Sequence, residues 1–169
     1  MKKFIQVCLS FALLSVPSAS AQTGSTRSDV PNSTVISDHI FGLGLSFNLA
    51  TGSGFAFKHH LPTIPFAYQI TGYGWKSGFT AWCIGAELQY DLFTQPEGRL
   101  YVLGGASRYY YRSDDGTSTL DDMNRMGIGV GFELAMSDKF GLAFSLTLTS
   151  FQPSGDLLPL PGAGAFIYF

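Results

Sequence analysis

The sequence predicts an all-β protein, an eight-stranded antiparallel up-and-down transmembrane β-barrel, and three observations carry that prediction. The chain ends on an alternating segment, Gly162 to Phe169, that places an apolar residue at every second position down to an aromatic carboxyl terminus. Seven earlier segments alternate in the same way, each near or slightly below the nine to eleven residues of a tilted transmembrane strand. The charges well inside these segments, Lys58, Glu87, Asp91, Arg108 and Glu133, are expected on the face opposite the large apolar side chains.

The amino-terminal part reads as an export signal. Lys2 and Lys3 precede an apolar run from Phe4 to Val16, and Ala19-Ser20-Ala21 supplies a small-residue cleavage site. Residues 1–21 are therefore expected to be a signal peptide, since the run is shorter than the roughly 20 apolar residues of a spanning helix. Its removal takes away Lys2 and Lys3, leaving eight Lys and Arg against twelve Asp and Glu, a net charge of −4. Such a chain offers no basic face to nucleic acid. Cys83 is the one cysteine left, so no internal disulfide is possible. Residues 22–38 are polar, contain Pro31 and read as a flexible leader, and residues 39–169 form the predicted barrel.

The first predicted strand, His39 to Asn48, sets Phe41, Leu43, Leu45 and Phe47 against Gly42, Gly44, Ser46 and Asn48. The Gly-rich turn Thr51 to Gly54 leads into Phe55 to His60, and a segment with two prolines, Leu61 to Pro65, turns the chain again because Pro cannot donate to a ladder. Phe66 to Trp75 and Phe79 to Phe93 are the third and fourth strands, and Leu100 to Arg112 is the fifth and least regular. Ser113 to Asn124, rich in Asp, Ser, Thr and Gly, is predicted to be a loop. Met126 to Met136 then alternates almost without fault, followed by Phe140 to Thr149, a second long connection from Ser150 to Pro161, and the final strand.

The separation of charge from bulk decides the faces. A Lys or Arg facing lipid at mid-membrane costs roughly 2–4 kcal/mol, so the apolar face is expected outside and the charges inside. A soluble lipocalin-like barrel would reverse this, leaving Gly127, Gly129 and Gly131 on its solvent face to no benefit. Outward aromatics are expected as two girdles, Phe66, Tyr90, Tyr101 and Phe169 near the periplasmic side and Trp82, Tyr109 and Tyr111 near the outer side. The long connections fall at one end and the compact ones at the other, as they do for outer loops and periplasmic turns. On this reading Val130→Arg is damaging and Gly129→Ala milder.

The segments from Phe41 through Phe169, with Gly-x-Gly-x-Gly at Gly127 to Gly131 and the aromatic terminus at Phe169, resemble the small outer-membrane β-barrel proteins of the OmpA/OmpX-type architecture. The resemblance implies residence in the bacterial outer membrane, contact with its lipid and lipopolysaccharide, insertion by the outer-membrane assembly machinery, and a structural or adhesive role. It implies no catalytic residues, and Phe169 would serve as an assembly signal.

Candidate chemistry is sparse. Lipid A-modifying enzymes on barrels of this size need a His beside a Ser near the outer rim. His39, His59 and His60 all fall near the predicted periplasmic ends of strands one and two, without a His-x-Ser pattern. His59 and His60 point to opposite faces of a strand and cannot chelate one ion together, so no metal or cofactor site is expected. Asp114, Asp115, Asp121 and Asp122 lack the ordered spacing of a calcium loop and read as a solvated outer loop. Lys58, Gln69, Glu87, Gln89, Asp91, Arg108 and Glu133 are expected to share a lumen too narrow for bulk water, as a paired network that blocks rather than conducts.

Overall fold

A computed structural model describes residues 41–113 and 119–169. The predicted signal peptide and leader, His39, Asp114 and Asp115 lie outside the described residues, as do the side chains of Asp121 and Asp122. The strands are β1 (Phe41–Asn48), β2 (Gly52–His60), β3 (Phe66–Lys76), β4 (Phe79–Gln95), β5 (Gly98–Ser113), β6 (Thr119–Ser137), β7 (Phe140–Phe151) and β8 (Leu157–Tyr168). Each pairs antiparallel with its neighbours in chain order, and β8 closes on β1 from Gly42 opposite Tyr168 to Asn48 opposite Gly162. Closure leaves no continuous free edge, which an isolated sheet of this length would expose.

The exterior is apolar. Leu43, Leu45, Phe55, Ile70, Ile84, Leu88, Ile128, Val130, Leu146 and Ile167 are all exposed, as one face of the alternation requires. On β6 the outward apolar series runs from Met126 to Met136 before Asn124 ends it. At about 3.3 Å per residue and a tilt near 40°, that run is about 25 Å tall, the height of the lipid-facing band of a transmembrane barrel.

Two predicted loops are shorter than the sequence suggests. Thr119 to Asn124 belong to β6, with Arg112 opposite Thr119 and Arg108 opposite Asn124, so their polar composition marks a hairpin standing above the apolar band. β8 starts at Leu157 despite Pro159 and Pro161, because β1 pairs with it only from Gly162 onward. The prolines therefore lie on a one-sided ladder, where a missing donor costs little.

β1 and β2 are short, and their connecting turn lies within the barrel. Ala50 and Thr51 are fully buried. The Ser107 hydroxyl donates to the Ala50 carbonyl at 2.9 Å, and Thr71 Oγ1 donates to the Thr51 carbonyl at 3.3 Å. Room for the turn comes from glycines on three facing strands. A Cβ on Gly85 would stand 2.1 Å from the Thr51 carbonyl oxygen, one on Gly105 2.8 Å from Thr51 Cγ2, and one on Gly127 2.8 Å from Ala50 Cβ. The inward glycines that the alternation places on β4, β5 and β6 thus make the seat of an internal stopper.

Candidate functional site in the barrel interior

Below the stopper, toward the end that holds Phe41 and Phe169, the inward side chains converge on Glu133. Lys58 Nζ on β2 donates to Glu133 Oε2 at 3.0 Å, and Arg99 on β5 donates to the same oxygen through Nε at 3.1 Å and Nη2 at 2.9 Å. The Tyr168 hydroxyl on β8 donates to Glu133 Oε1. Lys58, Arg99 and Glu133 have no exposed side-chain surface. A carboxylate so far from water is tolerable only with such partners, because desolvating each ion costs several kcal/mol.

The network continues along the axis. Arg99 Nη1 donates to Asp91 Oδ1 at 2.5 Å, and Nη2 also donates to Gln89 Oε1. Gln89 Nε2 donates to Glu87 Oε1 at 2.6 Å, and the Thr51 hydroxyl donates to Glu87 Oε2 at 2.5 Å. Side chains from β2, β4, β5, β6 and β8 are therefore tied through hydrogen bonds to the stopper itself. Phe166 and Tyr101 pack among the charges, with Lys58 Nζ 3.7 Å from the Phe166 ring centre and the Arg99 guanidinium 4.6 Å from that of Tyr101. Gly131 makes space for Tyr101, whose ring would lie 2.5 Å from a Cβ there. The central gap among Ser46, Gln69, Glu87 and Phe166 amounts to about 10 Å³. That is room for at most about one water, so at this level the barrel axis is filled by side chains.

Lys58, Glu87, Asp91 and Glu133 lie on the inward face. Arg108 does not: it is exposed on the outer wall, and Arg99 takes the interior role. Tyr101 and Tyr109, expected in the girdles, also point inward, Tyr109 donating to the Asn48 carbonyl at 3.1 Å, and Tyr111 stands opposite the buried Ala81. The cause is a β-bulge. The two-residue turn at Pro96-Glu97 sets Thr94 opposite Arg99, but an irregularity between Asp91 and Phe93 then sets Asp91 opposite Tyr101. One inserted residue exchanges the faces of everything beyond it. Counting back from Glu133 along the β5–β6 ladder leads to Arg99, a signal that β5 alone does not contain.

The remaining candidates sit apart from this cluster. The His59 ring stacks on Phe41 on the outer wall, with centroids 4.6 Å apart, and its Nδ1 lies 3.0 Å from the Tyr68 hydroxyl. His60 packs inside against Tyr168, beside a cavity of about 350 Å³ bordered by the β2–β3 turn, Asp91 and Arg99. Cys83 is buried, with its sulfur 3.4 Å from the Ser53 amide. Phe169 lies outward, and its backbone exchanges hydrogen bonds of 3.0 and 3.3 Å with Phe41. Among the described residues no cluster of His, Cys, Asp and Glu has the makings of a metal site.

No known protein-family profile matches the chain, and no curated protein matches it in sequence. Two solved structures do match in fold. The N-terminal β-barrel domain of Pseudomonas aeruginosa OprF superposes with a TM-score of 0.55 at 17% identity, covering 76% of this chain and 95% of that one. Neisserial surface protein A, NspA, matches with a TM-score of 0.45 at 18% identity, covering 76% of this chain and 93% of that one. The closed eight-stranded antiparallel barrel, its apolar outer band and its filled interior together make the fold of this chain that of the small outer-membrane β-barrels, similar in architecture to the OprF domain.

Proposed function

We propose that this chain is a structural or surface-interacting barrel of the bacterial outer membrane, bounded by lipid around its wall and closed to solutes along its axis. The observation that carries the reading is the opposition of its two surfaces. The outer wall exposes a continuous band of large apolar side chains, while the axis is occupied by the Ala50-Thr51 turn and the Glu133 network. A soluble carrier gains nothing from such an exterior, and a channel needs a lumen that water can thread. Its partners on this reading are the surrounding lipid and lipopolysaccharide, with the assembly machinery recognising the terminal Phe169.

The test has two arms. Expressed in a Gram-negative host, the full chain should fractionate with the outer membrane and migrate differently before and after boiling. Reconstituted in planar bilayers, it should show no sustained single-channel steps. Recovery in the soluble periplasmic fraction removes the membrane reading, and a steady conductance removes the closed lumen.

A further inference from the structure

The outer wall carries a recess where the outward side chains shrink. On β5 the outward residues after Leu100 and Val102 are Gly104 and Ala106, followed by Arg108. Ala106 lies opposite Ala86 on one side and Met126 on the other, and Arg108 lies opposite Ile84 and Asn124. The two alanines form the floor, and Ile84 and Met126 rise as walls, both at least half exposed. The recess holds about 470 Å³, within the roughly 300–1,000 Å³ of small-molecule sites.

Its mouth is polar and includes a guanidinium. Arg108 and Asn124 stand side by side across the β5–β6 ladder, and Gln152 borders the same space, held there as its backbone N–H donates to the Asn124 backbone carbonyl at 3.0 Å. Asn124 is the first outward polar residue above the apolar series on β6, so this trio marks the upper border of the band. An arginine at that height, directly over an apolar slot, has the complement of an amphiphile with a negatively charged head and a hydrocarbon tail.

Resting on the outer-membrane reading above, we infer that this recess binds one phosphorylated glycolipid of the outer leaflet, with an acyl chain between Ile84 and Met126 and a phosphate on Arg108. Asn124 and Gln152 supply amide donors to the same head group. A guanidinium suits phosphate because it can donate two parallel hydrogen bonds, and the low dielectric beside the acyl region strengthens them.

The experiment is native mass spectrometry of the mature chain refolded in detergent, with bis-phosphorylated lipid A, its dephosphorylated form and phosphatidylethanolamine as probes. The wild type should retain the phosphorylated form about tenfold more than either of the others, the scale of one charge-assisted contact. Arg108→Gln should remove that preference, and Ala106→Leu, which fills the floor, should lower retention of both lipid A forms. Lys139→Gln, which removes a positive charge from the turn at the opposite end, should leave retention unchanged. Equal retention of all three lipids, or of lipid A by wild type and Arg108→Gln, overturns the site while leaving the barrel reading intact. Failure of the wild type to show heat-modifiable migration in lipid vesicles overturns the membrane reading and the site with it.

Discussion

Arg99 and Glu133 face each other directly across the β5–β6 ladder, and two nitrogens of the guanidinium meet a single carboxylate oxygen at 2.9 and 3.1 Å. Because both side chains are fully buried and each has a further charged partner, Lys58 for Glu133 and Asp91 for Arg99, the pair is the centre of the interior.

Arg99→Met should cost about 3–5 kcal/mol, since it leaves Glu133 with one cation and Asp91 with none of its present pairing. Arg108→Met, on the outer wall at the border of the band, should change stability by less than about 1 kcal/mol. Urea unfolding of the two variants in vesicles distinguishes them. In a double-mutant cycle, Arg99→Met with Glu133→Gln should show coupling of about 1–3 kcal/mol, and a value below about 0.5 would mean that the two groups are solvated separately.

Val130, opposite Val102 and Leu146 in mid-band, should accept no charge. Val130→Arg is expected to destabilise the folded barrel by about 2–4 kcal/mol in lipid. Gly129→Ala, expected from the sequence to be milder than Val130→Arg, still carries a cost in the fold, because its Cβ would stand 2.2 Å from the Leu146 carbonyl oxygen on β7. Backbone cannot step aside as a side chain can, so a loss of about 1–3 kcal/mol is expected. Equal midpoints for wild type and Gly129→Ala would show that the β6–β7 spacing relaxes there.

The stopper can be tested through its seat. Gly85→Val puts side-chain atoms where the Thr51 carbonyl and Gly52 Cα now lie, 2.1 and 2.7 Å from the added Cβ, so the turn must leave its place. Ion conductance should then appear in planar bilayers, where the wild type is expected to show none. Thr51→Val, which exchanges the hydroxyl bonded to Glu87 for a methyl of similar size, should keep the lumen closed and lower stability by about 1–3 kcal/mol. A closed lumen in Gly85→Val would place the seal in the Glu133 network alone.

Deleting Phe169 removes two backbone hydrogen bonds and a ring contact with Phe41, a loss of about 1–3 kcal/mol in the refolded barrel. If the terminal aromatic is also an assembly signal, the level in the outer membrane should fall far more than that stability loss accounts for. Immunoblots of outer-membrane fractions, set beside urea midpoints, separate the two effects.

The strand count, the closed barrel and the inside-out distribution of residues were legible in the alternation itself, because a period of two assigns faces wherever bulk and charge separate cleanly, as they do from Met126 to Met136. Length was less legible. Pro159 and Pro161 read as a loop, and the polar start of β6 did too, because one-dimensional composition cannot show that a strand is single-sided or continues above the lipid.

Three features belonged to the tertiary structure alone. The bulge between Asp91 and Phe93 exchanged the faces of β5, sending Arg108 outward and Arg99 inward, since a single extra residue in a ladder is invisible until the partner strand is known. The burial of Ala50 and Thr51 depended on three glycines from other strands meeting at one height. The choice of Tyr168 as a ligand of Glu133 depended on β8 closing against β1 beside it. Sequence sets which side chains of a strand share a face, whereas bulges, register and closure decide which of the two faces is inward and which side chains from distant strands share the same few ångströms.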